Sequence, residues 1–232
     1  CSPDLGALRF ADLAEALNRA VAGDTVAIGP GIYTGNFVVY RDLTLRHAGV
    51  DVSRLDAAQA IDVRAILQAS NRPLLEQRQA LTATQSGKLA GRVLTVHAFA
   101  PWGDTVVPAA DVTASIQDLT VRYGMDRAGG AILNRGQLRL ERMTLTANAA
   151  VNEYAVKADG SLSVTVAAQG GAIYNAGALT IVRSTLSGNQ SESAGGAIFS
   201  NSALANAQFE SLEIIASTLV DNKAAPLPRT WT

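Results

Sequence analysis

Along most of the chain, apolar and polar residues alternate over runs only a few residues long. These runs end at Gly, Asn, Asp or Ser. Alternation of period two, as at Leu138 and Leu140 or at Ala131 and Leu133, predicts strands with one buried face. Segments such as LTIVRSTL are too short and too β-branched for helices. The N-terminal segment differs. Phe10, Leu13, Ala14, Leu17, Ala20 and Val21 fall at i, i+3, i+4, i+7, i+10 and i+11, an apolar stripe that predicts an amphipathic helix over 9–22, stopped by Gly23. Three short strands follow, Asp24 to Ile28, Asn36 to Tyr40 and Asp42 to Arg46. They are separated by Gly29-Pro30-Gly31 and by an Arg41-Asp42 corner. A core helix of an α/β unit is the alternative for the stripe, disfavoured because strands without intervening helices come next.

A repeat organises the second half. From Gly129 the chain reads GGAILNRGQLRLERMTLTAN and from Gly170 GGAIYNAGALTIVRSTLSGN, aligned without a gap. A third copy from Gly195 to Asn222 matches after an insertion of eight residues around Ala203 to Glu210. A block of this size cannot bury its own apolar face, but stacked blocks can, each strand pairing in parallel with its equivalent one turn on, about 4.8 Å away. Gly129-Gly130, Gly170-Gly171 and Gly195-Gly196 are expected at corners that need positive φ or close backbone approach. The closing Asn148, Asn189 and Asn222 are expected to take the left-handed corner and to stack as an amide ladder. The predicted fold is all-β: a single-stranded right-handed parallel β-helix with an N-terminal capping helix and a side insertion. As one domain it divides into capping helix 9–22, first rungs 24–50, insertion 52–88, middle rungs 91–124, repeats 129–222 and tail 223–232.

Composition narrows the function. With 19 Lys+Arg against 20 Asp+Glu the chain has no basic surplus for nucleic acid. Being 48% hydrophobic and nearly neutral, it is expected to fold rather than remain disordered. No stretch approaches the ~20 apolar residues of a membrane-spanning helix. The single cysteine, Cys1, excludes an internal disulfide. A chain that opens on Cys1-Ser2 resembles a processed bacterial lipoprotein, which would make Cys1 a lipid attachment point and the only route to a membrane. A domain cut from a larger precursor, or an ordinary N-terminal thiol, is the alternative.

LAEALNRAVAGDTVAIGPGIYTGNFVVYRDLTLRHAG (Leu13 to Gly49) resembles the opening of pectin-lyase-like β-helix proteins. The later GGAI blocks resemble the repeats of polymorphic outer membrane proteins and related bacterial surface β-helices. GRVLTVHA (Gly91 to Ala98) and IQDLTVRYG (Ile116 to Gly124) look like the intervening rungs. The resemblance implies a β-helix and export; it implies little about activity, because this scaffold hosts lyases, hydrolases, binding modules and adhesins. It lapses over Val52 to Lys88, which reads either as a recognition excursion or as a brace over strand edges.

Catalytic chemistry is sparse. Lyases on this scaffold need a base and clustered carboxylates for calcium, and hydrolases need carboxylates in register. The outward repeat positions hold Arg139, Glu141 and Arg142, then Thr180, Arg183 and Ser184, with only Glu213 in the third copy, so matched positions change chemistry. Asp118 and Asp126 read as groove-flanking acids or, more simply, as acids that bond their own turns. His47 and His97 lack metal-ligand spacing. Trp102, in a Phe99 to Asp111 excursion, reads either as a sugar-stacking residue or as a loop anchor. The expectation is therefore an exported, non-enzymatic surface or extracellular protein, structural or adhesin-like, with no cofactor. The coil end past Asn222 reads three ways: the Pro-rich tail with Trp231 folds under it as a small cap, the chain is cut from a longer repeat array, or the uncapped end docks on another copy and self-association builds a filament end to end. Surface polysaccharide is a further expected partner. A carbohydrate-binding or polysaccharide-cleaving β-helix is the alternative. Thr144-Leu145-Thr146 occurs once, too little for an ice-binding face.

Overall fold

The computed structural model describes residues 9–48, 65–69, 91–96, 112–201 and 211–225. Its strands stack in parallel on three faces and one narrow strip. Face 1 carries Asp24–Ile28, Leu43–His47, Thr113–Gln117, Gln137–Glu141, Ala178–Val182 and Ser211–Ile215 in that spatial order. Face 2 stacks Gly31–Thr34, Ala65–Gln68, Leu119–Arg122, Thr144–Thr146, Thr185–Ser187 and Thr218–Val220. Face 3 stacks Phe37–Val39, Leu94–Val96, Ile132–Asn134, Ile173–Asn175 and Ile198–Ser200. The strip consists of Met125–Asp126, Ala149–Ala150, Gln190–Ser191 and Lys223–Ala224. Spatial order follows chain order on every face, so the chain visits each face once per turn. This is a parallel β-helix.

Parallel register converts period-two alternation into columns of like residues. On face 1, Leu45, Ile116, Leu140 and Ile181 occupy one inward column and are all 0% exposed. Phe37, Leu94, Ile132 and Ile173 form an equivalent column on face 3. Each such side chain removed from water contributes about 1.5–3 kcal/mol. The N-terminal helix is shorter than its stripe: it runs Leu13–Arg19, with Leu13, Leu17 and Ala20 buried and Val21 62% exposed. It starts at Asp12, whose carboxylate accepts from the Ala14 N–H at 2.6 Å. Its last carbonyls are held by Tyr40 and Arg41, which donate to Asn18, Arg41 donating to Ala20 as well. The helix packs on Asp24–Ile28 and Phe37–Val39, the first strands of faces 1 and 3, as a cap should.

Four details depart from expectation. Gly31–Thr34, expected partly as a spacer, is a strand of face 2. Ala65–Gln68, inside the segment assigned to a side insertion, is also a rung of face 2, paired with Gly31–Thr34 on one side and Leu119–Arg122 on the other. The rest of 52–88 lies outside the described residues. Lys223–Ala224, assigned to the tail, still pairs with Gln190–Ser191. Between the first two repeats an antiparallel hairpin, Glu153–Val156 with Leu162–Val166, leaves the coil. Its antiparallel pairing follows from a tight turn, where Lys157 N–H donates to the Ser161 carbonyl at 2.7 Å.

Candidate functional site

The expected repeat residues fall into columns, and each has a structural task. In the Gly170-Gly171 corner neither glycine has room for a Cβ, and only the first has a positive φ. Gly170, at φ 71°, would press a Cβ on the Ile173 carbonyl of its own turn, while Gly171 would press one on the backbone of Gly196 and Gln190 in the next turn. Gly129 and Gly195 share the positive φ and the crowding, and Gly130 and Gly196 the crowding alone.

Asn148, Asn189 and Asn222 form the expected ladder. Asn148 Nδ2 donates to Asn189 Oδ1 at 2.9 Å, and Asn189 Nδ2 to Asn222 Oδ1 at 2.8 Å. Each acceptor oxygen also takes the backbone N–H of the asparagine before it, at 3.1 Å in both cases. The asparagines themselves do not adopt the left-handed conformation. That falls to the preceding residue, Ala147 at 52°, Gly188 at 61° and Asp221 at 53°, because the asparagine must point inward to bond its neighbours. A second left-handed column, Asp118, Arg142, Arg183 and Ala216, makes the corner of one or two residues between faces 1 and 2.

A second amide ladder was legible but missed. Asn134 Nδ2 donates to Asn175 Oδ1 at 2.8 Å, and Asn175 Nδ2 to Ser200 Oγ at 3.0 Å, with both asparagines fully buried. The signal was the sixth position of each block, Asn, Asn and Ser. At the base of the hairpin a third polar group closes: Asn152 N–H donates to the buried Glu192 carboxylate at 2.6 Å, and Asn152 Oδ1 accepts from Ala168 N–H and Ser193 Oγ. These groups satisfy buried backbone where the hairpin departs from the coil.

The outward positions of face 1 and its corner hold the densest charge among the described residues. Arg142 grips Asp118 with two bonds, Nε at 2.6 Å and Nη2 at 2.8 Å. Glu141 accepts from Arg142, Arg183 and Arg139. Partial burial pushes the Glu141 carboxyl up, but the bond from Arg183, the charge of Arg142 and the bond from Arg139 outweigh it and hold it below the usual range. Bonding to Asp118 raises Arg142 further above its already high value against opposing desolvation. Three arginines therefore share one carboxylate and hold Glu141 in its charged form. Ser184, expected outward, is buried: its Oγ accepts from Met143 N–H and donates to the Val182 carbonyl. Asp126 bonds its own turn through the Arg127 and Ala128 N–H groups, as the simpler reading held, and also pairs with Arg92 at 3.0 Å. Burial pulls the Arg92 pKa down against the raising effect of Asp126, with Arg135 and Arg127 adding to the lowering.

Beside this corner lies a shallow cleft of about 590 Å³ on the outer side of face 1, lined by Asp42, Thr44, Ser115, Gln137, Arg139 and Thr180 among others. His47 ends the second strand of that face, opposite Ile28. Cys1, His97, Trp102 and the insertion around Ala203 to Glu210 lie outside the described residues. Among the described residues no three His, Cys, Asp or Glu side chains gather as metal ligands, and no helix is long and apolar enough to cross a membrane.

Residues 183–201 match the Chlamydia polymorphic membrane protein repeat. The match runs from the left-handed Arg183 through Thr185–Ser187, Asn189 and the Gly195-Gly196 corner to Ile198–Ser200. It therefore covers the residues that form the corners and both ladders in one turn. No curated protein and no solved structure matches the chain.

Proposed function

We propose that the chain is an exported, non-enzymatic β-helix that works at the cell surface as a structural or adhesin-like element. The carrying observation is the match of 183–201 to a repeat of Chlamydia polymorphic membrane proteins, on the residues that build the coil. The neutralised charge around Glu141 supports a non-catalytic reading, since each carboxylate there is committed to arginine. Protease shaving of intact cells tests it: release of peptides from 112–225 without lysis is expected, and complete protection that ends only on lysis would overturn the surface assignment.

Self-association belongs to the same reading. Among the described residues the last coil has a strand neighbour on one side only, and its core-facing Leu212, Ile214 and Leu219 are 41–44% exposed. Such an edge pairs readily with another chain. The Leu13–Arg19 helix covers the opposite end, so a head-to-tail filament must first displace that helix. Sizing across a concentration series is expected to show association that Leu212→Asp with Leu219→Asp abolishes; a strictly monomeric protein at high concentration would refute it.

A further inference from the structure

We infer that the cleft on face 1 is a binding site for an uncharged glycan chain. Three observations carry this. The first is shape: the cleft crosses four consecutive strands, Leu43–His47, Thr113–Gln117, Gln137–Glu141 and Ala178–Val182. At the spacing of stacked strands that is about 14 Å, an elongated trough suited to a polymer running along the coil axis.

The second is the supply of hydrogen-bonding groups. Thr44, Ser115, Arg139 and Thr180 form one outward column, in register from strand to strand. Ser115 Oγ accepts from Gln117 at 2.9 Å, and Arg139 spends one N–H on Glu141 at 3.3 Å. The Thr44 and Thr180 hydroxyls and the Gln137 amide have no side-chain partner among the described residues. A hydroxyl both donates and accepts, an amide does the same across two atoms, and a guanidinium adds several donors. That mixture is complementary to sugar hydroxyls, and it repeats once per rung.

The third is charge. The lining holds one acid, Asp42, and one base, Arg139. Asp42 Oδ1 already accepts from the Thr113 N–H at 2.7 Å, and Arg139 is shared with Glu141. The two offset each other in formal charge, Glu141 beside the cleft is already shared among three arginines, and Glu213 farther along the same column disfavours a polyanion. The lining carries no aromatic ring, so binding rests on hydrogen bonds and is weak per site. Repetition along a polymer compensates for this.

Binding is independent of where the protein is displayed, so the test uses the purified full chain. It is run on native gels containing a soluble neutral β-glucan, a soluble neutral α-glucan or polygalacturonate, with polymer-free gels as reference. Retardation by at least one neutral polymer is expected. The triple variant Thr44→Ala, Gln137→Ala, Thr180→Ala should weaken it at least about tenfold, the loss that one or two hydrogen bonds represent. A matched triple on face 2, Thr120→Ala, Thr144→Ala, Thr185→Ala, should bind as the unaltered chain does, and far-ultraviolet circular dichroism verifies that both triples stay folded. No retardation by either neutral polymer, retardation by polygalacturonate alone, or equal retardation of the cleft triple and the unaltered chain would each overturn the assignment.

Discussion

Asn189 sits at the middle of the longer ladder, and replacing it separates hydrogen bonding from packing. Its side chain makes four bonds: it accepts from Asn148 Nδ2 at 2.9 Å and Asn148 N at 3.1 Å, and donates to Asn222 Oδ1 at 2.8 Å and Leu145 O at 3.0 Å. The residue is 0% exposed, so water does not replace what is removed. Asn189→Ala leaves the Asn148 backbone N–H without its acceptor and strips one bond from the Asn148 and Asn222 amides and from the Leu145 carbonyl. A net bond contributes about 0.5–1.5 kcal/mol and an orphaned buried donor costs about 1–3 kcal/mol, which puts the loss at about 3–5 kcal/mol once shared partners are discounted. Asn222→Ala, at the more exposed end of the ladder, loses fewer bonds and should cost about 1–2 kcal/mol. Asn189→Asp keeps the shape but turns the donor into an acceptor facing Asn222 Oδ1 and the Leu145 carbonyl, so it should be at least as damaging as alanine. Urea unfolding followed by the β signal in circular dichroism gives the three values. If Asn189→Ala costs no more than Asn222→Ala, or if aspartate is tolerated, the ladder is not what holds this corner together.

The glycine corner should discriminate between space and conformation. Gly171→Ala forces a Cβ into the backbone of Gly196 and Gln190 and is expected to prevent soluble expression, whereas Gly188→Ala, with φ 61° and open space, should cost only about 1–2 kcal/mol. Comparable stability of the two variants would contradict this. At Ala216, exposed with φ 47°, glycine should stabilise by about 0.5–1 kcal/mol despite the lost methyl, read as a higher urea midpoint. The Glu141 carboxyl lies below its ordinary value in the folded chain, so the unfolded chain binds the extra proton first. Its contribution is present above the unfolded pKa and is lost as pH falls through the folded one. Glu141→Gln should flatten the fall in stability over that acid range and leave the neutral-to-alkaline slope unchanged, and an unaltered acid slope would show that the arginine cluster is not coupled to folding.

The coil was legible because stacking makes every turn solve the same problem with the same residues. Three GGAI blocks closing on asparagine were enough to identify turns, glycine corners and one ladder. The Asn134, Asn175 and Ser200 ladder carried an equal signal, hidden because serine stands in for the third amide while still accepting from Asn175. Ser184 misled because alternation was counted through a corner: the left-handed Arg183 resets the phase and turns the next residue inward. Ala65–Gln68 was missed because a single rung without a copy has no periodic signal; its partners, Gly31–Thr34 and Leu119–Arg122, lie far away in the chain.

Sequence alone determined the period, the glycine corners, the capping helix and the neutral charge, because these are local or repeated properties. Tertiary structure decided what faces what. It chose which residue of each asparagine corner takes positive φ, since the amide must reach the next turn. It bound three arginines to Glu141 from two successive turns, and it aligned Thr44, Ser115, Arg139 and Thr180 from four segments into one trough. Register between strands distant in the chain creates those neighbours, and register is set by packing the inward columns, which no single segment of sequence contains.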